Sequence, residues 1–340
     1  MLNIPSRVIQ VTWLKSQWNL NNLFLLLFLL VASLSWNYAF FKLFVWILIA
    51  FGISLFSRRL IFGFLAVGGV AQSLLALGQF MGQKSLGLFG ESSLSVFDMV
   101  VAKTFLNPGL LLRAYGTFPH PNILAAFLIL SLISCYYFFF VNSKKWWHYL
   151  WLVFIFINWL GLLLTFSRVG WIIALLMSLV FLLFSRGFVS KNDWWRFATI
   201  IIVSVISLAI AFSWAVVPRL QIKTTNFTVQ ERLTDYQLAK EKIRERPLLG
   251  GGLTLAMGKR PIHNLYLLVA VELGLLGLLF FAAFLGSFYF QGFSNWERGI
   301  SLILLTSLLL YGLTDHFLWT LRPGLGMFWL LIGLLKSYNR

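Results

Sequence analysis

Basic residues are concentrated in one stretch of the chain, from Pro218 to Pro261, which holds nine Lys and Arg against four Asp and Glu. The cations are Arg219, Lys223, Arg232, Lys240, Lys242, Arg244, Arg246, Lys259 and Arg260. Many of them fit a solvated helix face with opposite charges at helical spacing. Arg232 differs, because it falls in the first turn of a predicted helix, where the helix dipole disfavours a cation. Its position indicates an anionic ligand.

A helix is predicted over residues 228–246 of this stretch. Thr228 and Glu231 fit a capping box at its start, and Pro247 ends it. The apolar residues with helical spacing are Val229, Leu233, Tyr236 and Ile243. Such a stripe favours an amphipathic helix that lies on a membrane surface. Three successive glycines, Gly250 to Gly252, then permit a sharp turn or a close approach of the backbone.

His263 and Asn264 follow the basic stretch directly. A lone His at a membrane interface is more often a hydrogen-bonded anchor than a catalyst, but the neighbouring cations favour a general base, a role to which His is the side chain best suited. Asp315, His316 and Arg322 form another polar group that could orient His263. Glu272, nine residues after His263, falls on the opposite face of a helix, which favours a packing or polar-network role.

Two earlier segments also carry polar residues beside apolar runs. In Leu164-Thr165-Phe166-Ser167-Arg168, Arg168 either snorkels to the interface or holds a phosphate with its planar guanidinium. The segment from Arg113 to Asn122 contains two prolines and His120, and we favour a structural role for His120.

These groups must be positioned by membrane helices. A chain of 340 residues that is 60% hydrophobic and 11% charged, with mean hydropathy +0.86, is too apolar for an ordinary water-soluble enzyme. We predict an all-α polytopic integral membrane protein in which residues 1–340 form a single integral domain. Ten apolar runs predict about ten transmembrane helices, at 19–36, 38–57, 60–80, 121–141, 147–165, 169–185, 197–217, 262–285, 299–314 and 324–336. The single Cys, Cys135, excludes an intrachain disulfide and a cysteine zinc site.

The basic residues of the short loops predict the orientation, because such residues are retained in the cytoplasm. Twelve of the 27 cations fall on one side if there are ten spans. They are Arg7, Lys15, Arg58, Arg59, Lys144, Lys145, Arg186, Lys191, Arg196, Arg298, Lys336 and Arg340. Both termini are then cytoplasmic, and two long loops, 81–120 and 218–261, face the outside. The external cations favour a ligand at the membrane over a nucleic acid.

Several motifs, in order over about residues 113–275, resemble the O-antigen ligase and O-antigen polymerase superfamily of bacterial membrane glycosyltransferases. They are Arg113-Ala114-Tyr115-Gly116-Thr117-Phe118-Pro119-His120-Pro121-Asn122, Leu164-Thr165-Phe166-Ser167-Arg168, Glu231-Arg232, Arg246-Pro247-Leu248-Leu249-Gly250-Gly251-Gly252, His263-Asn264-Leu265-Tyr266-Leu267 and Glu272-Leu273-Gly274. Each motif is short. The combination is specific because the motifs occur in this order and spacing and are all predicted to lie on the external side of the membrane.

The resemblance implies an enzyme of the bacterial inner membrane, active in lipopolysaccharide or other polysaccharide biosynthesis. It would move a glycan from an undecaprenyl-diphosphate carrier to a hydroxyl acceptor on a glycolipid, glycan or protein, outside the cytoplasmic membrane. It implies that His263 is the catalytic base and that Arg168 and Arg232 bind the diphosphate. Secondary candidates are Arg219, Arg246, Asn264, Arg113, Asp315 and His316. The chain has no Asp-x-Asp pattern and few external carboxylates, so we expect neither a metal nor another cofactor.

Three alternatives remain open at this point. A polymerase that extends a carrier-linked chain and a transferase that glycosylates protein Ser or Thr share the donor chemistry. A transporter of lipid-linked glycan is a different class, and it would be expected to show inverted repeats and broken helices at the membrane midplane. The sequence indicates neither.

Overall fold

A computed structural model of the chain describes residues 21–34, 38–88, 103–106, 109–141, 145–220, 227–253, 261–292 and 295–339. Some predicted anchors and loop cations lie outside these residues, namely Arg7, Lys15, Lys144, Lys223, Lys259, Arg260 and Arg340.

Each of the ten predicted apolar runs overlaps a helix. The helices are α1 (Asn21–Ser33), α2 (Tyr38–Ile53), α3 (Arg58–Gly82), α4 (Pro121–Val141), α5 (Lys145–Leu164), α6 (Arg168–Ser185), α7 (Lys191–Ala211), α8 (Ser213–Leu220), α9 (Phe227–Glu245), α10 (Leu265–Phe290), α11 (Trp296–Gly312), α12 (Phe317–Thr320) and α13 (Arg322–Lys336). Within the described residues, six helices are long and apolar enough to cross a membrane, α3 to α7 and α10. A helical membrane protein is thereby confirmed, and the count of ten spans stays a prediction.

A two-stranded antiparallel hairpin was not predicted. Strands β1 (Lys103–Leu106) and β2 (Gly109–Leu112) pair with Lys103 opposite Leu112 and Leu106 opposite Gly109. The hairpin lies within the loop predicted at 81–120. Strands of four residues carry little periodic signal, which is why the sequence did not reveal them.

The chain forms two compact units. The first unit contains Met1–Leu55, Phe227–Leu302 and Gly312–Arg340, and the second contains Phe56–Asn226 and Ile303–Tyr311.

The second unit is built around α4, which packs on α3, α5 and α6. Helix α4 is apolar on all faces and is almost entirely buried, as expected for a helix at the centre of a bundle. Small residues allow its neighbours to approach closely. A Cβ at Gly69 of α3 would collide with Ser131 of α4, and one at Gly161 of α5 would collide with Ser73 of α3.

The first unit packs α13 on α2 and α9 on α10. Gly333 of α13 lies against the backbone of Ala50 in α2, where a Cβ would not fit. Phe28 of α1 contacts the rings of Phe281 and Trp319, with centroids 5.6 Å and 6.1 Å away. This unit therefore joins helices from both ends of the chain around α10.

Candidate active site

His263 is held by Asp235 of α9, which lies 28 residues earlier in the chain. The Asp235 Oδ2 atom is 2.7 Å from His263 Nδ1 and accepts a second hydrogen bond, of 3.1 Å, from the His263 backbone N–H. Because a carboxylate only accepts hydrogen bonds, this pairing places the ring proton on Nδ1 and leaves the lone pair on Nε2. The side chain of His263 is 30% exposed and that of Asp235 is 9% exposed. The ring is thus oriented by a shielded carboxylate and remains accessible.

Asn264 sets the start of α10. Its Oδ1 atom accepts a hydrogen bond from the backbone N–H of Leu267 at 3.0 Å, as an N-cap residue does. Its Nδ2 atom donates to the carbonyl of Leu313 at 2.9 Å. These contacts fix the backbone next to His263, so the role of Asn264 is to hold that residue in position.

Sequence reasoning treated Asp235 only as one acidic residue among four. Helix α9 (Phe227–Glu245) matches the helix predicted over residues 228–246 to within one residue at each end. Asp235 and Ala239, one turn apart on α9, are buried. On the other side of α9, Leu233 is 59% and Tyr236 is 50% exposed. Leu233 and Tyr236 of the predicted apolar stripe are thus turned away from the buried face, whereas Ile243 is half-buried. Because Asp235 is distinguished by its burial and by its tertiary contact with His263, no pattern in the sequence marks it.

His316, one of the candidates for orienting His263, lies beside it. The rings of His316 and His263 meet edge to face, with centroids 5.1 Å apart. His316 Nδ1 is 2.6 Å from Thr320 Oγ1, and the His316 backbone N–H donates to Asp315 Oδ1 at 2.8 Å. Burial lowers the pKa of His316, and the nearby carboxylate of Asp315 opposes this shift only in part. His316 is therefore a neutral neighbour of His263 at pH 7.

Three basic candidates come from the basic stretch between Pro218 and Pro261. Arg232 is half-buried on the same side as Asp235, three residues earlier, and it makes no ion pair with the part of the chain that the structure describes. Arg246 is exposed just after the end of the helix. Arg219 belongs to α8, and its side chain lies outside the described residues. Of these, Arg232 has the placement best suited to an anion near His263.

Arg168 is the first residue of α6, in the second unit, after a tight turn. Phe166 takes a left-handed backbone conformation, φ 49°, which is uncommon for a large side chain and marks strain of the kind found at functional sites. Ser167 caps α6 by accepting a hydrogen bond from the Gly170 N–H at 3.2 Å. The turn thus presents Arg168, which is half-buried, at the helix N-terminus.

Arg113 supports this turn. It is 8% exposed, its Nε donates to the Thr165 carbonyl at 3.1 Å, and one terminal nitrogen donates to Asn122 Oδ1 at 3.0 Å. The same Asn122 oxygen accepts from the Ser167 hydroxyl at 3.1 Å. His120 Nδ1 accepts from the Asn122 N–H at 3.0 Å, in the structural role predicted for it. These contacts commit Arg113 to holding the turn that carries Arg168.

The two remaining motifs of the resemblance, Arg246 to Gly252 and Glu272 to Gly274, are hydrogen-bonded to each other. Helix α10 is interrupted at Gly274, with φ 71° and ψ −176°, a break that the sequence did not indicate. The Leu275 N–H donates to the Pro247 carbonyl at 2.8 Å. On the other side of the break, the N–H groups of Gly251 and Gly252 donate to the carbonyls of Val271 and Glu272 at 2.9 Å and 2.8 Å. The glycine-rich loop therefore supplies the backbone partners that the interrupted helix lacks.

Glycine is required on both sides of this contact. A Cβ on Gly250, at φ 70°, would lie 2.5 Å from the Glu272 carbonyl, and one on Gly274 would collide with the Leu248 carbonyl. Glu272 itself is 2% exposed and accepts a 2.8 Å hydrogen bond from Trp319 Nε1. It is thus a member of a buried polar network, as its helix face had suggested.

The structure distributes the predicted residues over the two units. Six of them lie in the first unit, to which Asp235 is now added. They are Arg232, Arg246, His263, Asn264, Asp315 and His316. Arg113, Arg168 and Arg219 belong to the second unit. In the described ranges no group of three or more His, Cys, Asp or Glu could hold a metal ion.

The fold and these sites define a helical membrane protein with a His-Asp pair and basic residues at helix ends. In a comparison with protein families, residues 153–282 match the family described as O-antigen ligase. The match confirms the resemblance inferred from the motifs, and its range contains Arg168, Arg232 and His263. No curated protein matches the chain.

Proposed function

We propose that the protein is a glycosyltransferase of the bacterial inner membrane, which moves a glycan from undecaprenyl diphosphate to a hydroxyl group outside the cell membrane. The observation that carries the proposal is the His263-Asp235 pair, within the segment that matches O-antigen ligases. A His oriented through Nδ1 by a carboxylate is the arrangement that general bases use to activate a hydroxyl.

In the reaction, His263 Nε2 takes the proton of the acceptor hydroxyl as that oxygen bonds to the anomeric carbon of the donor sugar. The bond between this carbon and the diphosphate oxygen breaks, and the diphosphate leaves with the electron pair. Displacement from the opposite face inverts the configuration at the anomeric carbon. Asp235 holds the ring and stabilises the imidazolium that forms.

Arg168 and Arg232 would bind the diphosphate and stabilise its charge as it leaves. The strained turn before Arg168 and the lack of an ion-pair partner for Arg232 among the described residues support this assignment. Guanidinium groups supply the positive charge that many soluble glycosyltransferases obtain from a metal. The acceptor is a glycolipid, a glycan or a protein hydroxyl.

The test is transfer from lipid-linked glycan by the purified protein in lipid nanodiscs. We expect His263→Ala to lower turnover by about a hundredfold or more, and Arg168→Ala and Arg232→Ala to lower it strongly. Arg244→Ala is the matched control, because Arg244 is an exposed cation on the same helix, away from Asp235. Full activity in His263→Ala would sink the assignment of the base, and loss of activity with a chelator would sink the metal-free mechanism.

The polymerase and protein-glycosylating alternatives are separated by the product. A deletion strain that accumulates unligated long chains favours a ligase, and one that accumulates single repeat units favours a polymerase. The interruption of α10 does not favour the transporter alternative, because carbonyls at the break are hydrogen-bonded to the glycine-rich loop. Transport of intact donor by proteoliposomes, without bond cleavage, would favour it.

A further inference from the structure

The turn between α6 and α7 encloses a cavity of about 550 Å³, separate from the residues of the proposed active site. The cavity is lined by Arg186, Val189, Lys191, Trp194 and Trp195, all in the second unit. It therefore combines two cations with two indole rings at one end of two helices that can cross a membrane. That composition suits a ligand with an anionic part and an apolar part.

The two cations of the cavity have no acidic partner among the residues that the structure describes. Lys191 is the first residue of α7, where the helix dipole disfavours a cation and favours an anion. The nearby acid, Asp193, is already engaged by the Ser190 hydroxyl at 2.7 Å and by Arg196 at 3.6 Å. Arg186 and Lys191 are both exposed, so their positive charges are available to an anionic ligand.

The aromatic wall is fixed in place. Trp194 Nε1 donates to the Leu182 carbonyl at 2.7 Å, and the Trp194 and Trp195 rings meet edge to face with centroids 4.8 Å apart. Indole rings are enriched where membrane and water meet. Exposed aliphatic residues continue from this wall along both helices, with Leu183 of α6 62% exposed and Ile202 of α7 54% exposed.

We propose that this cavity binds the headgroup of an anionic phospholipid. The phosphate would lie between Arg186 and Lys191, and the acyl chains would lie along the exposed aliphatic faces of α6 and α7. The continuous apolar surface favours a lipid over free phosphate. The basic residues of this turn also place it on the predicted cytoplasmic side, where anionic lipids attract basic side chains. The inference does not depend on the proposed glycosyl transfer.

The experiment is a lipid titration of the purified full chain, followed by native mass spectrometry. The probes are dioleoyl phosphatidylglycerol and dioleoyl phosphatidylcholine, which share their acyl chains and differ in headgroup charge. We expect preferential binding of phosphatidylglycerol and, for Arg186→Ala and for Lys191→Ala, about a fivefold loss of that affinity. Arg196→Ala is the control, because Arg196 is exposed on the same helix and paired with Asp193. Its affinity should match that of the wild type.

Three outcomes would overturn the proposal. The first is equal affinity for the two lipids, and the second is an equal loss in all three variants. The third is displacement of the bound lipid by millimolar inorganic phosphate, which would identify free phosphate as the ligand. Thermal unfolding of each variant is measured as well. Only a variant that unfolds at the wild-type temperature is used to judge a loss of lipid binding.

Discussion

Asp235 differs from the other acidic residues of α9 in the surroundings of its carboxylate. One oxygen accepts from both the ring and the backbone of His263, and the residue is buried, whereas Glu241 and Glu245 are exposed. Two hydrogen bonds to one neighbour fix both the position and the rotation of the imidazole. A carboxylate used in this way is a positioning residue, and its removal should affect turnover more than donor binding.

Asp235→Asn should lower kcat by about a hundredfold while leaving the KM for the lipid-linked donor within about twofold, because the amide no longer selects the reactive tautomer of His263. Steady-state kinetics with purified protein measure both constants. Asp235→Glu keeps a carboxylate and should recover part of the lost turnover. Glu241→Gln is the matched control on the exposed face of α9. A rise in KM with unchanged kcat would contradict the positioning role.

His316 should make the folded protein sensitive to acid. Burial lowers its pKa in the folded state, so below about pH 6.5 the unfolded chain binds a proton that folded His316 does not. The free energy of unfolding should therefore fall with decreasing pH, by at most about 1.4 kcal/mol per pH unit for this one group. Above that pH His316 is neutral in both states and contributes no pH dependence. Unfolding curves of wild type and His316→Gln between pH 5 and 7.5 should diverge toward acid, and parallel curves would contradict the prediction.

At the scale of elements, the interruption of α10 connects two motifs that are 20 residues or more apart. The glycine-rich loop after α9 fills the break, so the loop, the break and the start of α10 are one hydrogen-bonded unit. Because α9 carries Asp235 and α10 begins after His263, this join also ties together the two sides of the His-Asp pair. Disturbing the break should therefore affect stability and activity together.

Gly274→Ala should lower the free energy of unfolding by about 2 kcal/mol or more, because its backbone angles are accessible in practice only to glycine and a Cβ would meet the Leu248 carbonyl. Gly286→Ala is the matched control on the same helix, since its Cβ would meet only the Phe290 ring at 3.9 Å. Thermal unfolding in detergent compares the two variants. Similar unfolding temperatures for the two variants would contradict the close contact between Gly274 and the Leu248 carbonyl.

The helices were predictable because each apolar run is long and continuous. The break was not, because Gly274 lies inside such a run and hydropathy does not report backbone angles. Asp235 escaped detection for another reason: its partner is 28 residues away, and only tertiary packing brings the two side chains together. The prediction of His263 rested on residue type and neighbouring charge, which the sequence does display. Arg113 was a secondary candidate for the site, and its burial and its contacts with Thr165 and Asn122 could not be foreseen from the sequence.

At the scale of the whole molecule, the proposed mechanism requires that the segments carrying Arg168, Arg232 and His263 face the same side of the membrane. The distribution of Lys and Arg among the short loops predicts the same arrangement. It places the loops 81–120 and 218–261 outside the membrane and the turn between α6 and α7 inside. The mechanism and the topology can thus be tested by one experiment.

Single-cysteine labelling in intact cells tests this arrangement with little background, because the one native thiol, Cys135, is fully buried in α4. Lys84→Cys in the second unit and Glu241→Cys in the first occupy exposed positions in the two predicted external loops. Both should react with a membrane-impermeant maleimide added from outside. Lys191→Cys, which is exposed in the opposite turn, should react only after the membrane is permeabilised, because the reagent cannot cross the bilayer. The wild-type chain is the control and should stay unlabelled. Labelling of Lys84→Cys and Glu241→Cys from opposite sides would contradict the predicted external placement of both loops.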